Sequence, residues 1–190
     1  MNRWLAHVAA GSATPALRTW LASPGSLTAR LRSHCDNFEV RLLRQAPSVC
    51  LPDQARTIGL ARPGRVLERE VLLCCDGRPV VYAQTVAPAS CSANDWPFLS
   101  KLGSRSLGAA LFGDPRIAHG PLQHARLGAG HPLLRRALAA LPLQECGVPL
   151  HARRRLYRRR GGMLLVTELF LPAIALLTPR HSTCIDTDRQ

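Results

Sequence analysis

Asp76-Gly77 divides two runs that have the character of β-strands. Residues 66–75 and 79–86 are short, apolar and rich in valine, and the dipeptide between them is one favoured in a two-residue type I′ turn. A hairpin of this kind commits the chain to an antiparallel sheet, because parallel neighbours need a long crossover. A second hairpin pairs residues 153–159 with 163–170 across Gly161-Gly162, and Phe38, Val40 and Leu42 alternate in a further strand over 38–43. Helices are expected between these strands. Leu17, Trp20 and Leu21 share a helical face in 15–22, with Thr14 as N-cap and Pro15 in the first turn. Pro24-Gly25 ends that helix, and Ser26 opens another through Ala29, Leu31 and Arg32. Residues 95–102, 107–112 and 133–140 are helical candidates too, the second stopped by Gly113-Asp114-Pro115. Hairpins joined by helical pairs predict an α+β fold, not a βαβ order. At 190 residues the chain is read as one domain over 14–177, with an N-terminal extension at 1–13 and a polar tail at 178–190.

Within that frame two charges fall on apolar strand faces. Read with period two, Glu168 shares a side with Leu164, Val166 and Phe170, and Arg69 shares one with Leu67, Val71, Leu73 and Cys75. An ionised group on such a face is costly unless paired, hydrogen-bonded or used in chemistry. Two accounts fit. Arg69 and Glu168 form one buried ion pair that holds the sheet together, or they line a pocket in which Arg69 takes a small anion and Glu168 a hydroxyl or a proton.

The net charge of +13 suggests nucleic acid or an anionic membrane. Lys101 is the sole lysine, however, which points to arginine-rich codon usage instead of selection for a phosphate-binding surface, and aromatic residues amount to 5%. Seven cysteines, an odd number without a C-x-x-C pair, argue against a disulfide framework and a structural zinc site, and favour a reducing, cytoplasmic setting. His119 and His124, five apart with no carboxylate cluster, are read as solvent or packing residues, so no metal site is expected. The longest apolar stretch, 163–177, is interrupted by Glu168 and Pro172 and is too short to span a bilayer. No acidic residue precedes Asp36, a composition shared with organelle transit peptides, but the run from Trp4 to Ala10 is too short and polar for a secretory signal.

Ser26-Leu27 and Ser106-Leu107 are similar loop-to-helix junctions. With each serine as N-cap, the amides of Leu27 and Leu107 lie in a first turn without intrahelical partners, where they either belong to ordinary capped helices or receive a carboxylate. Several motifs carry a resemblance. Ser26-Leu27-Thr28, residues 69–79, Leu102-Gly103, Ser106-Leu107-Gly108, Gly120-Pro121-Leu122, Ala125-Arg126-Leu127 and residues 164–172 follow one another in an order and spacing that resemble the chorismate pyruvate-lyase family, over roughly residues 15–173.

That resemblance implies an antiparallel sheet backed by helices, with helix-turn-helix flaps over an internal ligand pocket. It implies cofactor-free conversion of chorismate to 4-hydroxybenzoate and pyruvate, the first committed step of ubiquinone synthesis, by a monomer. It implies that Arg69 and the amides of Leu27 and Leu107 hold the ring carboxylate while Glu168 meets the ring hydroxyl. Glu168 then acts either as a general base favoured by apolar neighbours or only as a positioning group. An aromatic acid product held by the same groups should also leave slowly, so product inhibition is expected. Leu27 stands where a methionine is also found in the family, a change a backbone donor tolerates. The segment 128–149 is longer than in compact members, and the arginines from Arg153 to Arg160 exceed the expected basic content. Some are read as solvated edge charges, and Arg153 or Arg154 as an aid to the second substrate carboxylate. Competing readings are a relative that makes another hydroxybenzoate isomer or only binds aromatic acids, and a nucleic-acid module built on the arginine-rich hairpin.

Overall fold

Seven strands join in one antiparallel sheet in the computed structural model, which describes residues 4–8, 13–141 and 149–179. They are β1 (Phe38–Val49), β2 (Arg65–Cys75), β3 (Arg78–Pro88), β4 (Ala118–His119), β5 (Gln123–Leu127), β6 (Leu150–Arg159) and β7 (Gly162–Phe170). The order is β1-β2-β3-β7-β6-β4, with β5 pairing a different stretch of β6. The helices are α1 (Pro15–Ala22), α2 (Leu27–Arg32), α3 (Pro52–Ala55), α4 (Ala89–Ser92), α5 (Leu107–Gly113) and α6 (Pro132–Ala139). The 1–13 extension and the 178–190 tail lie largely outside the described residues, as do Cys146, Cys184 and residues 142–148.

The β2–β3 hairpin turns where the dipeptide demands. Asp76 and Gly77 have φ of 50° and 79°, the left-handed pair of a type I′ turn. The second hairpin turns one residue earlier than expected, on Arg160-Gly161, with Arg159 paired to Gly162 and Arg160 at φ 53°. Packing accounts for the shift. A Cβ on Gly162 would sit 2.5 Å from Asp95, so this glycine is needed inside β7, against the 95 loop, and a left-handed arginine takes the turn.

β1 runs six residues past the predicted end, because a register irregularity between Leu42 and Arg44 breaks the alternation without ending the strand. Its Pro47 is tolerated at a sheet edge. The helix expected over 95–102 is reduced to a 3-10 turn at Leu99–Lys101, since Pro97 lacks an N–H and biases Trp96 toward extended backbone. α3, α4 and the strands β4 and β5 are absent from the sequence reading; β4 and β5 are too short for their alternation to stand out.

Both sheet faces are covered. Val71, Leu73, Cys75 and Phe170 pack with Trp20, Leu21, Leu27 and Leu31 of α1 and α2 on one side. Leu72, Cys74, Tyr82 and Leu169 pack with Leu133, Leu134 and Ala137 of α6 on the other. Trp96, Leu99, Leu111, Tyr157 and Leu164 form a third cluster near the start of α5. Cys35, Cys50, Cys74, Cys75 and Cys91 are free thiols, and burial pushes Cys74 and Cys75 up, away from reactivity. Among the described residues no helix is long and apolar enough to cross a membrane.

Candidate active site

The pocket lies between the first sheet face and the starts of α2 and α5. Sheet register builds its floor. One row across β2, β3, β7 and β6 reads Arg69, Thr85, Val166, Arg155, and the next reads Val71, Ala83, Glu168, Arg153. Small side chains at Thr85 and Ala83 leave room between charged ends, and Leu27, Thr28, Leu107, Gly108 and Leu111 form the roof. The cavity between floor and roof is narrow, about 60 Å³. The two roof helices meet closely: a Cβ on Gly108 would approach Ser26 Oγ to 2.7 Å and Thr28 Oγ1 to 3.2 Å.

Arg69, Glu168, Leu27 and Leu107 thus line one pocket. The single-ion-pair account of Arg69 and Glu168 is overturned. Arg69 is 2% exposed and donates through Nη2 to the carbonyls of Gly103 at 2.8 Å and Arg105 at 2.9 Å, with Nε also directed to Gly103 at 3.3 Å. Burial pushes its pKa down to about 10, which still leaves it cationic at neutral pH. Among the described residues no carboxylate pairs with it, so this buried cation is open to an anionic ligand.

Glu168 pairs instead with Arg153, whose Nε lies 2.5 Å from Oε2. Arg153 also donates through Nη1 to the carbonyls of Trp20 at 3.0 Å and Ser23 at 2.8 Å, and its guanidinium lies over the ring of Phe170. It therefore ties the carboxylate to the turn between α1 and α2. The apolar neighbours invoked for a general-base Glu168 are thus joined by a cationic partner. Arg154 points to the opposite face, where it meets Gln123, Asp53 and the ring of Trp4, and cannot serve the pocket. The other arginines divide in the same way. Arg155 lines the pocket, Arg159 pairs with Asp114 at 3.1 Å, and Arg158 and Arg160 are exposed. Four of these six arginines are therefore buried.

The two expected caps differ. Ser26 Oγ accepts from Ala29 N at 3.3 Å, as anticipated. Ser106 occupies the N-cap position of α5, but its hydroxyl caps nothing and is buried without a partner. Each places the following leucine in the first turn over the pocket. Tyr157 closes one wall, its hydroxyl pushed up to about 12 by burial and by the Glu168 charge. His124 is buried, its Nε2 3.1 Å from Leu21 O, and burial lowers its pKa; His119 packs near Phe112 and Tyr157. Among the described residues no three His, Cys, Asp or Glu side chains gather as a metal ion would require.

An antiparallel sheet with helices closed over a pocket that has cations at both ends defines a single-domain α+β protein suited to a small organic anion. The chain belongs to the chorismate lyase family, whose model matches residues 2–178, and with it to the carbon–oxygen lyases. A relative from Cupriavidus metallidurans, named as a probable chorismate pyruvate-lyase, is 47% identical over 170 residues, covering 89% of this chain and 79% of its own. One from Dechloromonas aromatica with the same name is 42% identical and covers 93% and 98%. Among solved structures, PhnF from Mycobacterium smegmatis superposes with a TM-score of 0.58 at 18% identity, over 85% of this chain and 70% of that one. Its effector domain alone gives 0.52, also at 18% identity, over 78% and 89%. At that identity the likeness is one of fold.

Proposed function

We propose that the chain removes pyruvate from chorismate to give 4-hydroxybenzoate, without a cofactor, as a monomer in the cytoplasm and at the entry to ubiquinone ring synthesis. The observation that carries the reading is the pocket that sets Arg69, free of any carboxylate among the described residues, across from the Arg153-bound Glu168, in a chain of this family. In this reading the ring carboxylate meets Arg69 and the first-turn amides of Leu27 and Leu107. Glu168, its Oε2 already taken by Arg153, accepts a hydrogen bond from the C4 hydroxyl. The reaction breaks the bond between C3 and the enolpyruvyl oxygen and removes the C4 hydrogen as a proton, making the ring aromatic. The released three-carbon unit takes up one proton at its methylene carbon and becomes pyruvate, so atoms and charge balance. The enzyme supplies orientation and exclusion of water for a substrate already disposed to react. A carboxylate fixed by a guanidinium favours the positioning role, with the C4 proton passing within the substrate.

Purified protein incubated with chorismate should release 4-hydroxybenzoate and pyruvate in equal amounts, resolved by chromatography. Another isomer would change the named reaction, and an unchanged chorismate peak would leave a binding protein. In D2O, transfer within the substrate yields pyruvate whose methyl group carries the C4 hydrogen at early times; a solvent deuteron there would return the proton transfer to Glu168 or water. The tight seating of Gly108 on Ser26 and Thr28 also closes the roof over an aromatic acid held by the same groups as the substrate. Added 4-hydroxybenzoate should therefore slow initial rates, and rates that stay constant at saturating product would refute that closure.

A further inference from the structure

A second buried cation faces Arg69 across the pocket floor. Arg155 stands in the same inter-strand row with only Thr85 and Val166 between, which at ordinary strand spacing sets the two Cα atoms about 14 Å apart. The residue is 8% exposed, and its Nη1 donates to Pro24 O at 2.6 Å. Its guanidinium also interacts with the Tyr157 hydroxyl, but its Nε is buried with no hydrogen-bond partner, and among the described residues it pairs with no carboxylate. The Ser106 hydroxyl, on the wall of the same pocket, is the other buried group there without a partner. Leaving such donors unmade is costly, so two of them on one pocket mark a place for an anion.

Chorismate carries two carboxylates, one on the ring and one on the enolpyruvyl ether at C3. With the first on Arg69 and the C4 hydroxyl on Glu168, the C3 substituent lies next to the Glu168 end of the ring, and β6, which carries Arg155, is the strand beside β7. We infer that Arg155 and the Ser106 hydroxyl form a second anion subsite that binds the enolpyruvyl carboxylate, an inference that rests on the lyase reading. The product 4-hydroxybenzoate has a single carboxylate and leaves this subsite unused. Arg155 therefore distinguishes substrate from product. Because it also holds Pro24, a filled subsite joins the substrate to the α1–α2 turn.

Two ligands separate the subsite from the reaction: 3-(carboxymethoxy)benzoate, which offers a second carboxylate beside the ring, and 3-ethoxybenzoate, which does not. Calorimetry on the wild-type protein should show the first binding about 10- to 100-fold tighter, the range for hydrogen bonds to a charged group. In Arg155→Gln that gap should close to under about threefold, with chorismate KM raised by a similar 10- to 100-fold and 4-hydroxybenzoate affinity held within about twofold. A gap that survives the substitution, or equal losses for chorismate and 4-hydroxybenzoate, overturns the subsite. If Arg155→Gln fails to fold, Ser106→Ala decides: a narrower gap supports the subsite, and an unchanged one overturns it. Failure of the lyase reading is distinct, since it shows as absent turnover in the wild-type protein whatever the two benzoates do.

Discussion

Exchanging Glu168 for glutamine is expected to cut turnover of chorismate by about 10²- to 10³-fold, the usual effect of removing one charged group aligned with the reacting atoms. In the proposed reading the carboxylate holds the C4 hydroxyl, and Arg153 holds the carboxylate, so an amide in its place would lose a charge-assisted contact on each side. The structural cost should be smaller than the catalytic one. Arg153 keeps the carbonyls of Trp20 and Ser23 and can still donate to the amide oxygen of a glutamine. A loss of about 1–2 kcal/mol is expected, seen as a fall in Tm of about 2–8 °C for a chain of this size. Steady-state kinetics and thermal unfolding on the same preparation measure both. Turnover within about threefold of wild type, with the Tm lowered, would make Glu168 only a structural partner of Arg153.

The two hairpins and the charges at Arg69 and Glu168 were legible because their signals are local: a turn dipeptide and a period of two. The partnership of Glu168 was not, and one residue of register explains why. A turn at Gly161-Gly162 would set Arg155 opposite Glu168, whereas the observed turn at Arg160-Gly161 sets Arg153 there and moves Arg155 opposite Val166. The choice depends on Asp95 pressing against Gly162, a contact between distant parts of the chain that no local pattern reveals. The opposite face was missed for another reason. Glu68 and Glu70 alternate with Arg69, so a reading that takes the Arg69 face as buried assigns them to solvent, but α6 covers their face as well. Alternation cannot identify the outside of a strand that has none.

That covered face holds the larger stability effect. Arg136 of α6 reaches Glu68 at 2.7 Å and Glu70 at 2.8 Å, while Arg44 meets the other oxygen of Glu68 at 2.8 Å and Gln84 also donates to Glu68. Burial alone would raise the pKa of Glu68, yet hydrogen bonds from Ser48 and Gln84 and the charge of Arg136 outweigh it and hold the group below its ordinary range. Arg136→Ala leaves two carboxylates, 1% and 7% exposed, side by side on one strand face. Breaking a fully buried pair costs about 3–5 kcal/mol; with 35% of the Arg136 side chain exposed, solvent screening reduces the expected loss to about 2–3 kcal/mol at pH 7. The sign with pH follows from the lowered pKa. The contribution of Glu68 is present above its unfolded value, near 4.3, and is lost as pH falls through its folded value. The deficit of Arg136→Ala in urea unfolding should therefore shrink as the pH is taken from 7 down through that lowered folded value, where a protonated Glu68 no longer needs the guanidinium. Glu68→Gln, which removes one of the two charges, should recover part of the stability when combined with Arg136→Ala. Because this network lies across the sheet from the pocket, chorismate KM should stay within about twofold of wild type wherever the variant is folded. A deficit that does not change with pH would mean that Arg136 holds α6 by packing of its aliphatic stem instead of by charge.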